Sequence, residues 1–198
     1  MIFYLLSLIL HGLFAFLLTA YLRSHQLRRL RRRSFPRREL LLCLFCAYLW
    51  VGAVTLLTPN ALLSATGVGV HETFSSYLGG LSDRLHSSFA INLVPFKTIR
   101  NYHRYSTGLG AWLNLWGNIL LFFPFGAGLT LFWHRFASPL KVLLLGSCSS
   151  ALIEGMQFFI GRSVDIDDLL LNALGALLGS LTVRILLRLF PALGRYRR

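Results

Sequence analysis

The chain has 198 residues, 55% of them hydrophobic, and a mean hydropathy of +0.61. That excludes an ordinary soluble domain, and the length suits a single all-α membrane bundle of about five spans with no separate soluble domain. The formal net charge of +13 could suggest nucleic acid, but the basic residues cluster at the ends of apolar runs, as the positive-inside rule requires, so no nucleic-acid partner is expected. Three cysteines make no disulfide framework. Cys43-Leu-Phe-Cys46 has redox or zinc spacing, yet it sits in an apolar run without nearby ligand histidines and reads as inert thiols.

Residues 1–22 are the first expected span, a retained helix rather than a signal peptide, because a positive leading region and a small-residue cleavage site are both missing. His11 within it reads as a packing or hydrogen-bonding residue. Residues 23–38 carry eight arginines and are expected to form an inner loop, which puts the N-terminus outside. Anionic lipid head groups are its expected contacts. Residues 40–57 form the second span, ended by Pro59-Asn60.

The outer loop, residues 59–110, is long enough to have structure of its own. Phe74, Leu78, Leu81, Leu85 and Phe89 recur at helical spacing, which predicts a helix lying on the outer membrane surface. In INLVPFKTIRNYHRY, residues 91–105, Lys97, Arg100 and Arg104 share one face of a predicted helix, with Tyr102 and Tyr105 suited to the interface. Basic residues outside run against the charge rule. They are candidate anion-binding residues for a lipid phosphate, with ordinary head-group contact as the alternative.

Residues 111–133 form the third span, with Asn118 in need of a partner inside the membrane and Pro124 expected to kink or interrupt the helix. Residues 140–160 and 169–190 form the fourth and fifth. Arg135 lies in the short inner loop, and Arg184, Arg188, Arg195, Arg197 and Arg198 lie at or beyond the last inner end. No internal repeat suggests an inverted-repeat transporter.

The unusual residues concentrate in GSCSSALIEGMQFFIGRSVDIDDLLLNALGALLG, residues 146–179. Ser147, Ser150, Glu154, Gln157 and Gly161 make one helical stripe, and Asp165, Asp168, Asn172, Gly175 and Gly179 make another. The turn between them is short, so the segments are antiparallel and the stripes can face each other. The small residues, including the GxxxG pattern of Gly175 and Gly179, would let these two backbones approach, with the polar ends meeting in one pocket. At about 1.5 Å per residue, Asn118, Glu154 and Asn172 all lie roughly 10 Å below the outer surface. Gln157, Asp165 and Asp168 lie just above, and Arg162 can reach over the opening. These seven residues are the expected binding pocket, open outward; a hydrogen-bond network that only packs the bundle is the alternative. Glu154, an ionisable residue inside a span, is the candidate catalytic acid or base. Asp165, Asp167 and Asp168 could hold a divalent cation, but carboxylates at a helix start also cap it, and capping is the preferred reading, so no metal is assigned. No Ser-His-Asp set, HExxH or phosphate loop is present, and no cofactor is expected.

The chain resembles the VanZ-like family of membrane proteins, named for a member associated with teicoplanin resistance. The matching pieces are NLVPF at 92–96, GNILLFFPFG at 117–126, IEGMQ at 153–157 and GRSVDIDDLLLNALGALLG at 161–179, roughly the C-terminal half in the family's order. The first two spans match only in being hydrophobic. The resemblance implies a multi-pass helical bundle in a bacterial cytoplasmic membrane, linked to the cell envelope and, in the named member, to glycopeptide resistance. It supplies no reaction. Glu154, Gln157, Arg162, Asp165, Asp168 and Asn172 fall on the family's polar positions. Three roles stay open: binding or remodelling an envelope component, such as a phosphate-bearing or lipid-linked molecule; membrane-embedded acid–base or metal-assisted catalysis; and structural partnership with another membrane protein.

Overall fold

The computed structural model describes residues 2–30, 34–58, 91–105, 109–160 and 163–197. The surface helix expected around Phe74 to Phe89 and the Arg162 side chain expected over the pocket lie outside these residues. The elements are α1 (Ile2–Arg29), α2 (Pro36–Leu57), β1 (Ile91–Asn92), α3 (Lys97–Tyr105), α4 (Leu109–Phe132), α5 (Pro139–Phe159), β2 (Val164–Asp165) and α6 (Ile166–Leu189), with short 3-10 turns at His134–Phe136 and Pro191–Tyr196. Five of the helices are long and apolar enough to cross a membrane, so the chain is an all-α multi-pass bundle.

Local sequence explains most boundaries. Pro36 and Pro139 open α2 and α5, where a missing backbone N–H leaves no helical bond unmade. α1 continues as a helix to Arg29, so Arg23, Arg28 and Arg29 stand on a helix rather than in a loop, since arginine is a good helix former. α4 runs unbroken through Pro124, contrary to the possible interruption, and the Tyr48 hydroxyl of α2 donates to the Leu121 carbonyl on the turn that Pro124 disturbs.

α6 is the central helix, packed on α4 and α5. Here the helix pairing differs from the expectation. The Gly175–Gly179 pattern faces α4 rather than α5. A Cβ on Gly175 would stand 2.3 Å from the Ile119 carbonyl oxygen, and one on Gly179 would stand 2.0 Å from that of Phe123. From the other side, a Cβ on Gly126 of α4 would stand 1.9 Å from the Ala176 carbonyl oxygen. The α5 contact is looser: a Cβ on Gly146 would meet the Ala176 methyl at 2.8 Å. Three glycines thus let α4 and α6 touch backbone to backbone, because only hydrogen occupies the seam. Buried Phe122, Leu129, Val142 and Ala176 fill the space around it.

α1 packs on α2, and its end is pinned by the Arg23–Glu39 ion pair, Nε to Oε2 at 2.8 Å and Nη2 to Oε1 at 2.9 Å. Ser34 and Arg38 also donate to Glu39, and buried Arg38 donates through Nε to the Tyr196 carbonyl at 2.8 Å. His11 bonds the Ser7 carbonyl of its own helix at 2.8 Å. Cys43 is buried, Cys46 half-buried and Cys148 exposed, all as free thiols.

Candidate functional site

At the bundle end away from these arginines, α5 stops, the chain turns, and α6 begins with Asp165 as its N-cap. The Asp165 Oδ1 accepts from the Asp167 N–H at 2.9 Å, satisfying one of the donors that a helix start leaves open. Residues 164–165 pair in parallel with residues 91–92, Ile91 with Val164 and Asn92 with Asp165. This brings the segment before α3 onto the start of α6. Asn92 Nδ2 then donates to Asp165 Oδ1 and to Thr98 Oγ1, both at 3.0 Å, and the Thr98 hydroxyl donates to Asp165 Oδ2.

Asp167 is the hub. It is fully buried, and its carboxylate accepts from the backbone N–H groups of Phe96, of Thr98 at 2.8 Å and of Ile99 at 3.2 Å. These are the open donors at the start of α3, so an acid on α6 caps a helix lying 69 residues earlier in the chain. Phe96 has φ of 62°, a conformation that costs a non-glycine residue on the order of 1–2 kcal/mol and persists only where neighbours hold it. Its bond to Asp167 is one such restraint.

The expected pocket residues fall into linked pairs. Asn118 Nδ2 donates to Asp168 Oδ1. Buried Glu154 accepts the Asp165 N–H at 3.1 Å, so it ties α5 to the turn. Asn172 Nδ2 donates to Ser150 Oγ at 2.9 Å, joining α6 to α5, while its Oδ1 is buried without a hydrogen-bond partner among the described residues. Gln157 Nε2 donates to the Leu56 carbonyl at the end of α2, at 3.1 Å. Lys97, Arg100 and Arg104 are all exposed on α3, beside exposed Leu93, Val94 and Phe96. α3 rests on α4 and α6.

Reasoning from sequence passed over Asn92 and Thr98, gave Ser150 no role beyond its place in the helical stripe, and treated Asp167 as one acid among three. One signal was available: DIDD is dense in carboxylates, and a Thr near the start of a helix is a common capping partner. As for chemistry, N–H and O–H donors occupy the Asp165 and Asp167 carboxylates. Among the described residues no group of three or more His, Cys, Asp or Glu side chains is arranged to hold a metal ion. Next to Gln157's partner Leu56 lies an apolar cavity of about 110 Å³, bounded by Tyr48, Gly52, Phe122, Phe125 and Ile153 between α2, α4 and α5. Its lining suits a hydrocarbon chain rather than water.

A model of the VanZ/LLP1 family matches residues 45–187, reaching further toward the N-terminus than the short motifs do and leaving out α1. No curated protein and no solved structure matches the chain.

Proposed function

The chain belongs to the VanZ/LLP1 family, and from that premise we propose that it binds an anionic, lipid-linked component of a bacterial cell envelope. The site is the α3 end of the bundle, facing outward from the cytoplasmic membrane. One observation carries the reading: a buried carboxylate caps α3 and holds Lys97, Arg100 and Arg104 exposed beside the apolar Leu93, Val94 and Phe96. Cations next to apolar side chains match an amphiphile with a phosphate or carboxylate head. A link to glycopeptide resistance, including teicoplanin, would follow from sequestering or remodelling such a component.

The test is mass spectrometry of lipids retained by the purified full chain. A phosphate-bearing amphiphile should be enriched on the wild type and depleted about tenfold or more when Lys97, Arg100 and Arg104 are all changed to Gln. Equal retention by both proteins would defeat the reading. Orientation is tested separately. In a background lacking Cys43, Cys46 and Cys148, a cysteine at Ser163 should react with an impermeant reagent from outside and one at Ser34 should not; labelling of Ser34 alone would reverse the topology.

The pairing of Glu154 with the Asp165 N–H favours a second reading, in which the buried polar residues only fasten the bundle. Glu154→Gln separates the two. The amide can still accept that bond, so membrane abundance should stay normal, and the stability change should be within about 1 kcal/mol. Loss of envelope phenotype with a folded protein would assign Glu154 an ionisable role; full retention of phenotype would favour the fastening role.

A further inference from the structure

The opposite end of the bundle holds a second basic site, independent of α3. A cavity of about 220 Å³ lies between the end of α6 and the chain's last turn, lined by Ala137, Arg184, Leu187, Arg188 and Arg197. Two of its arginines are fixed by backbone. Arg184 Nη1 donates to the Ala137 carbonyl, and Arg197 Nε donates to the Thr130 carbonyl at 3.1 Å. Arg197 Nη2 is buried and has no hydrogen-bond partner among the described residues. A buried guanidinium N–H left unmade is costly, so the arrangement is one acceptor short.

Charge points the same way. Burial first, and then the charge of Arg184, pushes the Arg197 pKa down. Among the described acidic residues, Glu39 is the one at this end, and Arg23, Arg38 and Ser34 already engage it. Three guanidiniums therefore line one cavity with no Asp or Glu side chain among the described residues to balance them. Planar forks held by backbone carbonyls suit an oxyanion that accepts several bonds at once.

We propose that the cavity formed by Arg184, Arg188 and Arg197 binds a phosphate oxyanion, supplied by an anionic lipid of the adjoining leaflet or by free phosphate. A basic pocket between helix ends next to a membrane surface is suited to the lipid source. The site belongs to the last turns of α6 and the segment after it. Its ligand does not depend on the α3 face.

The experiment uses the full chain in detergent, with Lys97, Arg100 and Arg104 changed to Gln so that the α3 face does not contribute. Phosphatidylglycerol, diacylglycerol and inorganic phosphate are added separately, and the melting temperature and the mass of retained ligand are read. Phosphatidylglycerol should stabilise and be retained, and diacylglycerol should do neither. Stabilisation by inorganic phosphate as well would assign the site to the phosphate group alone; stabilisation by the lipid only would assign it to a head group delivered with its chains. Arg188→Gln changes an exposed side chain and should leave folding intact while weakening binding about tenfold. Arg197→Gln should weaken it at least as much. The proposal is overturned if neither phosphate probe stabilises the chain, or if Arg188→Gln and Arg197→Gln both bind with wild-type affinity.

Discussion

Asp167→Ala is expected to destabilise the folded chain by about 3 kcal/mol and to free α3 from the bundle. The carboxylate is fully buried and accepts three backbone N–H groups at the start of α3. Hydrogen bonds to a charged acceptor contribute about 1.5–3 kcal/mol each, but part of that returns when water reaches the freed N–H groups at the exposed loop, which sets the lower figure. The helix Lys97–Tyr105 is only nine residues long, too short to persist without its cap and its packing. Asp167→Asn should be intermediate, because one oxygen is kept while an amide N–H replaces the other and opposes a donor. Thermal unfolding in detergent gives the stability, and hydrogen exchange at Phe96, Thr98 and Ile99 reports the cap directly. Wild-type exchange at those three amides in Asp167→Ala would refute the assignment of Asp167 as the hub. The same variant should lose whatever ligand depends on Lys97, Arg100 and Arg104, since their common face exists only while α3 is folded.

Gly179→Leu should be at least as damaging, by about 3 kcal/mol or more, and Gly175→Leu nearly so. Even a single Cβ at Gly179 would stand 2.0 Å from the Phe123 carbonyl oxygen and 2.9 Å from the Ala127 nitrogen. Those atoms belong to a helix backbone and cannot rotate aside, so α4 and α6 must separate, opening the core around Phe122, Val142 and Ala176. Gly155 is the control. A Cβ there meets nothing within 4 Å, so Gly155→Ala should be tolerated and even favour the helix slightly. Comparing melting temperatures of the glycine variants decides the matter: if Gly179→Leu melts with Gly155→Ala, the α4–α6 seam is not where these glycines lie.

The membrane spans were legible because hydrophobicity and length are properties of each segment alone: about 20 apolar residues must cross or be buried whatever surrounds them. Helix starts were nearly as legible. Asp165 stands before an apolar run and caps it, an interaction confined to a few neighbouring residues. The face shared by Lys97, Arg100 and Arg104 follows from their spacing, once the helix exists. Partner choice was not legible. A GxxxG pattern says that some backbone comes close, because glycine removes the obstacle, but nothing in the pattern says whose. The short turn argued for α5, and packing gave the seam to α4, where Gly126 offers a matching gap. The three acids show the same limit more sharply. Asp165, Asp167 and Asp168 lie within four residues and look alike in sequence. Only the folded chain sends Asp165 to its own helix start and to Asn92, Asp167 to the start of α3, and Asp168 to Asn118 on α4. The physical reason is direction: Asp165 is the extended N-cap, while Asp167 and Asp168 are successive helical residues that point about 100° apart, so the three carboxylates leave the chain in different directions, and which donors stand there is decided by tertiary packing.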